Sequence, residues 1–344
     1  MRRSFRFGRL FGPALSVVLA VVPLLAGAQD EADTDWNHLG LNFRAGFNIR
    51  ARFSTPSSLV FPPGPGAGSA VNRQYNDGFV NVDSSGNQGG QTWNWGYRQA
   101  SQVSGNNVLM HASGLERASE HATDDPNLGL DFNYVRDIAH PSWGQWGIKV
   151  GAAYTRVDVR DAAPMSANVE TITDKYPLNG VTPPMAPYSG SFSGPGPVIG
   201  SKPSSRTTAI APNGAIITGD HSLEASLFDL RLGPSFNIPL FNRFSLQTGG
   251  GLAVGLVYSH FSFTESSTAG AGPVSASGSS TRTGLVPGAY AEAGFAYRIW
   301  RSTSLFTGAQ FEYLGDFQQG ADGRTARLDF GRTVFYEFGL QWHF

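Results

Sequence analysis

His260, Ser262 and Glu265 are the residues whose types and spacing could support acyl transfer. A serine hydroxyl attacks an ester when a histidine takes its proton and an acid orients that histidine. Residues two apart on a strand share a face, so His260 and Ser262 project together, with Glu265 close by. The same histidine also reads as an interfacial side chain following Tyr258. A second set is aromatic: Trp93, Trp95 and Tyr97 fall in one phase of a hairpin, suited to stacking on a sugar or partner, or to packing on a rim. Asp77, Asp83, Asp124 and Asp125 offer calcium-type oxygens, but no stretch has the spaced ligands of an EF-hand. The chain has no cysteine, which excludes a disulfide framework, a thiol nucleophile and cysteine-held metal. No glycine-rich phosphate loop occurs between a strand and a helix. No metal and no cofactor are expected.

A third set is charged and periodic. Arg44, Arg50, Arg52, Asp131, Lys149, Asp229, Arg231, Glu292, Arg298, Glu312 and Glu337 each sit in an alternating stretch, opposite the large apolar residues. The last eleven residues show the pattern most clearly. Val334, Tyr336, Phe338, Leu340, Trp342 and Phe344 take one face; Phe335, Glu337, Gly339, Gln341 and His343 take the other. A period of two is a β-strand, and about 9–11 residues is the length that crosses a hydrocarbon layer as a tilted strand.

Seven more stretches alternate in the same way: Leu39 to Phe53, Leu128 to Ile138, Gln145 to Arg160, Glu224 to Ile238, Phe244 to Phe263, Leu285 to Ile299 and Ser304 to Asp316. Their connections run long, short, long, short, long, short, long. The long ones are 54–126, expected to carry its own small sheet with a hairpin across Asp83–Asn87, then 161–223, 264–282 and a final loop of about ten residues. Eight strands with short turns on one side and long loops on the other predict an all-β protein, a transmembrane antiparallel up-and-down barrel with long extracellular loops. In the apolar phase the charges Arg136, Arg156, Asp158 and Arg332 lie at strand ends, where a lipid-facing charge is tolerated; at mid-bilayer it costs about 2–4 kcal/mol. Tyr154, Tyr258 and Tyr313 gather near the loop ends. Trp146, Phe244, Tyr297, Trp342 and Phe344 gather near the turn ends, as two aromatic girdles do.

Composition agrees. Arg2, Arg3, Arg6 and Arg9 precede an apolar run and Ala26-Gly27-Ala28, the pattern of a signal peptide over 1–28. Residues 29–38 read as a short periplasmic leader and 39–344 as the barrel. Removing four arginines with the signal takes the net charge from −1 to −5, which leaves no basic stripe for nucleic acid. A mean hydropathy of −0.19, with 43 glycines and 24 phenylalanines, suits strands with one polar face.

The terminal strand Tyr336, Phe338, Leu340, Trp342, Phe344 resembles the C-terminal signal of bacterial outer-membrane barrels, which the barrel-assembly machinery reads. Over Leu39 to Phe344 the pattern is similar to small barrels of the OmpA, OmpX and OmpW type. That resemblance implies a Gram-negative outer membrane, with lipid and lipopolysaccharide as partners and an extracellular ligand at the long loops. An eight-stranded barrel has room only for side chains inside, so opposed lumen charges must pair. A structural or surface-interaction role with a plugged lumen is therefore expected, and not an enzyme. A narrow channel for small or hydrophobic solutes, with Arg44 facing Glu292, Glu312 or Glu337, is the alternative that OmpW-like barrels suggest. The pair His260 and Ser262 with Glu265 is similar to the site of outer-membrane lipid A deacylases, the third reading.

Overall fold

The computed structural model describes residues 36–241, 243–268 and 273–344; the signal-peptide reading of 1–28 lies outside them. Eight strands pair antiparallel with their chain neighbours: β1 (Asn37–Phe47), β2 (Asn127–Ala139), β3 (Gln145–Asp161), β4 (Ser205–Phe241), β5 (Phe244–Thr268), β6 (Pro273–Trp300), β7 (Thr303–Leu314) and β8 (Thr333–His343). The ring closes where β8 pairs with β1, from His38 opposite His343 to Phe47 opposite Val334. Among the described residues the first strand starts at Asn37, two residues before the Leu39 read from the alternation. Three further strands on one flank make the sheet eleven-stranded.

Alternation decides the two faces. On β8, Phe335, Glu337, Gln341 and His343 are buried in the interior while Tyr336, Phe338 and Leu340 stand outside. Around the ring, Phe43, Leu128, Leu232, Leu252, Leu285, Phe295 and Phe311 form a belt of exposed apolar side chains, with Phe43 and Leu252 each 73% exposed. An exposed apolar belt of this extent marks a surface covered by lipid or by a partner.

The faces exchange character toward the loop end. On β4 the interior sequence passes from Arg231 and Asp229 to Leu227, Ala225 and Leu223, while the exterior passes from Leu230 and Phe228 to Ser226 and Glu224. β5 makes the same change, from outward Val254 and Leu256 to His260 and Thr264. On β1 a kink does this instead. Asn48 sits at φ 64°, and the strand resumes as Arg50–Ser54 with its phase inverted, so that Ile49, Ala51 and Phe53 point inward. These three are not on the face of Leu41 and Phe43, as unbroken alternation had implied.

Above the ring, the segments Phe317–Ala321, Arg324–Asp329, Arg50–Ser54 and Ser119–Thr123 form a four-stranded sheet in that order, each continuing one of β7, β8, β1 and β2. The expected final loop is therefore a hairpin, and the expected loop 264–282 is mostly paired strand between β5 and β6. Across the wall, β4 extends beyond β3 and pairs with Met165–Pro177, which pairs in turn with Asn107–Leu115. Much of 161–223 is thus sheet. The two long segments also share a small sheet, in which Tyr188–Ser189 pairs with Trp95–Tyr97 and these with Gly78–Val80, the hairpin read from sequence.

Candidate functional site

The lumen is filled in layers. At ring level Arg44 on β1 reaches Asp229 on β4 (2.8 Å) and Glu312 on β7 (3.2 Å), with its guanidinium 3.4 Å above the ring of Phe335. Arg231 on β4 bonds to Asp131 and Gln310 and lies 2.9 Å from Asp229 and 3.8 Å from Glu337. Lys149 on β3 holds Glu292 on β6 at 2.7 Å. The strands joined in this way are mostly three or four apart around the ring, so the bonds cross the interior. Neutral donors complete the layer: Asn42 and Asn133 to Asp131 (3.2 and 2.8 Å), and Gln310 to Glu312 (3.0 Å). A buried charge is tolerable only with such partners.

Next comes an apolar layer. Phe53, Phe261, Leu227, Val257 and Leu328 are wholly buried, and the rings of Phe53 and Phe261 stack at 6.0 Å. Above it His221 stacks on Phe53 and meets Glu265 at 2.9 Å, while Arg324 meets the other carboxylate oxygen at 2.9 Å. Burial pushes the Glu265 carboxyl up, but bonds from His221 and Arg324 outweigh it and hold the group below its ordinary range.

Three members of the charged set are not interior. Arg50 and Arg52 are exposed, because the Asn48 kink turns their side chains outward, and Arg52 bonds to Ser119 Oγ at 2.9 Å. Arg298 is exposed at the turn-end rim, below the ion pairs. Arg44 faces Asp229 and Glu312, whereas Glu292 is taken by Lys149.

The hydrolase set does not assemble. His260 faces outward and lies 3.2 Å from Thr281 Oγ1; Ser262 lies on the same face. Glu265 is an odd number of residues away, so it points into the lumen, to His221. The aromatic set is mostly packing. Trp95 is wholly buried with its indole N–H on Pro197 O (2.8 Å), and Tyr97 bonds to Pro184 O; burial pushes the Tyr97 phenol up. Trp93 bonds to Phe192 O at 3.2 Å. Asp83 accepts bonds from Ser85, Asn87 and Trp93, which outweigh its burial and hold its carboxyl below the ordinary range. Asp77 accepts from the backbone and ring of His111.

The loop segments enclose their own buried polar centre. Tyr75 bonds to Asp174 (2.5 Å) and Tyr176 (2.8 Å), and Arg206 grips both Asp174 oxygens at 2.7 Å. Burial pushes both phenols upward. Between this body and the upper sheet lies a groove of about 830 Å³, bordered by Asn76, Gln99, Ser113, Thr171, Glu265 and Arg324. None of Tyr75, Asp174, His221 or Arg324 stands out in the sequence, since each acquires its partner from a distant segment. The same holds at the turn end for His38, Asp137, Ser304 and His343, which come together on four adjacent strands.

No family model and no curated protein matches the chain. Among solved structures, the outer membrane protein OprG of Pseudomonas aeruginosa is similar at 12% identity and a TM-score of 0.33, over 91% of this chain and 99% of that one. The outer membrane protease OmpT of Escherichia coli gives 9%, 0.32, 92% and 99%. Ail, the attachment invasion locus protein of Yersinia pestis, gives 10%, 0.27, 90% and 99%.

Proposed function

We propose that this chain is an eight-stranded outer-membrane β-barrel with a sealed lumen, which works as a surface-interaction protein through the groove at its loop end. The sealing carries the reading. A solute would have to displace cross-lumen ion pairs of fully buried partners and then the Phe53–Phe261 layer above them. The exterior supports the membrane. From Phe244 to Tyr258 the outward residues of β5 are Phe, Leu, Thr, Gly, Leu, Val, Leu and Tyr, without a charge, and Val334 to Phe344 matches the span of a tilted strand, about 9–11 residues. On this reading the belt meets lipid and lipopolysaccharide, and Tyr336, Phe338, Leu340, Trp342 and Phe344 are the stretch that assembly machinery binds. The groove offers amides, hydroxyls, Asp77, Arg98 and the Glu265–Arg324 pair beside apolar Leu115, Val169 and Ile217, which suits an extracellular ligand with both polar and apolar parts.

The refolded protein in a planar bilayer tests the reading. It is expected to give no stepwise conductance; a reproducible unitary current would overturn the sealed lumen. Location is tested separately. With no native cysteine, the exposed Ser101→Cys variant should react with a membrane-impermeant maleimide on intact cells, and lack of reaction would reject the orientation.

A further inference from the structure

At the turn-end mouth, four side chains on the adjacent strands β2, β1, β8 and β7 form one continuous hydrogen-bonded chain. Asp137 Oδ2 lies 2.8 Å from His38 Nε2, His38 Nδ1 lies 2.5 Å from His343 Nδ1, and His343 Nε2 lies 2.9 Å from Ser304 Oγ. Asp137, His343 and Ser304 are buried. With both imidazoles neutral, the direction of every bond follows from one end. A carboxylate only accepts, so His38 Nε2 donates to Asp137. A neutral imidazole has one donor and one acceptor, so His38 Nδ1 accepts from His343 Nδ1–H. His343 Nε2 is then an acceptor, and the partner left to donate to it is the Ser304 hydroxyl. Every group is used in a consistent sense, and the serine proton is aimed at a basic nitrogen.

A pocket of about 310 Å³ opens on Ser304 and His343, with Arg243 and Arg298 on its wall beside Gln145 and Asn237. Two guanidinium groups suit an anionic ligand. We infer that Ser304 is a nucleophile for acyl transfer, with His343 as its base and His38 and Asp137 as positioning residues, acting on a small ester that bears an acidic group. This activity is separate from the surface reading above and faces the opposite end of the barrel.

The steps balance without a redox partner. Ser304 Oγ bonds to the ester carbonyl carbon as its proton passes to His343 Nε2. The carbon–oxygen bond to the alcohol breaks, and the departing oxygen takes that proton. A water then gives a proton to His343 while attacking the acyl carbon. Ser304 leaves with the proton restored, so ester and water become acid and alcohol.

The full chain, refolded in detergent and shown to be folded by heat-modifiable migration, tests this with a fluorophosphonate probe. Peptide mapping should place the label on Ser304. Ser304→Ala should abolish labelling, and His343→Gln should slow it about a hundredfold, as loss of a general base does. Absence of label from folded wild type, or label mapping elsewhere, would overturn the site. A cysteine probe separates positioning from mere structure. Ser304→Cys introduces the sole thiol of the chain, beside His343, with His38 and Asp137 behind that ring and His140, Arg243 and Arg298 on the pocket wall. Adding His38→Phe should slow iodoacetamide alkylation about tenfold at pH 7 but little at pH 10, where thiols ionise unaided above about 8.5. Equal slowing at both pH values would show that His38 governs access only, and would reject the relay.

Discussion

Arg44 and Asp229 meet at 2.8 Å across the lumen, from strands β1 and β4, with neither side chain reached by solvent. The pair is the centre of the sealing layer, because Arg44 also holds Glu312 and lies over Phe335. It joins walls that share no backbone hydrogen bond, and so it fixes the cross-section of the barrel.

Removing the cation should be far worse than removing its charge alone implies. Arg44→Met leaves Asp229 and Glu312 buried without it, and breaking such a pair costs about 3–5 kcal/mol. Urea unfolding in lipid vesicles should show a loss of that size. A change under about 1 kcal/mol, typical of a solvated surface pair, would mean that water already enters the layer.

The kink at Asn48 makes a different demand. Its φ of 64° is a left-handed conformation that costs a residue other than glycine about 1–2 kcal/mol, with asparagine among the tolerated exceptions. Asn48→Gly should leave stability nearly unchanged, and Asn48→Val should reduce it by at least that amount. Equal melting of the two variants would show that the kink is imposed by neighbouring strands rather than by this residue.

The loop end should loosen in acid. Glu265 has a folded-state pKa below its ordinary value of 4.5, so its stabilising effect is complete above that value and fades as pH falls through the lower folded one. Protease resistance of the loop end should therefore drop below about pH 4.5 in the wild type. Glu265→Gln should be less resistant at neutral pH and should lack that step. A wild-type profile flat down to pH 3 would exclude Glu265 as the cause.

Trp95 separates the loop body from the barrel. It is fully buried and bonded to Pro197, and truncating such a residue costs about 3–5 kcal/mol. Trp95→Ala should raise cleavage within 60–100 and within 180–200 together, while heat-modifiable migration of the barrel persists. Cleavage confined to the first region would show that the two segments fold separately.

The ring was legible because a strand with one apolar and one polar face repeats at period two and tolerates few errors. The terminal strand and the polar phase holding Arg44, Asp131, Lys149, Asp229 and Glu337 are read directly from that period. What escaped lies above the ring, where the apolar face turns inward and the outer face becomes polar. On β1 the Asn48 kink swaps the faces while the sequence goes on alternating, so Arg50 and Arg52 look interior and are not. On β4 the swap is written in the sequence, as Asp229 gives way to Leu227 inside and Phe228 to Ser226 outside. The separation of Glu265 from His260 and Ser262 was also readable, from parity alone. The His38–His343 contact was not, since it exists only once the first and last strands close the ring.

The sharing of strands between the two long segments has a practical consequence for grafting. Tyr188–Ser189 completes a sheet begun by Trp95–Tyr97, Ile199–Gly200 pairs with Gln91–Thr92, and Met165–Pro177 bridges Asn107–Leu115 to β4. Swapping either segment alone between barrels would strip a neighbour of its ladder and expose an open, adhesive edge. The pair is one cassette, transferable only whole, and a foreign peptide is best carried at an outlying tip such as Gly105, where a positive φ and open surroundings leave the shared strands untouched.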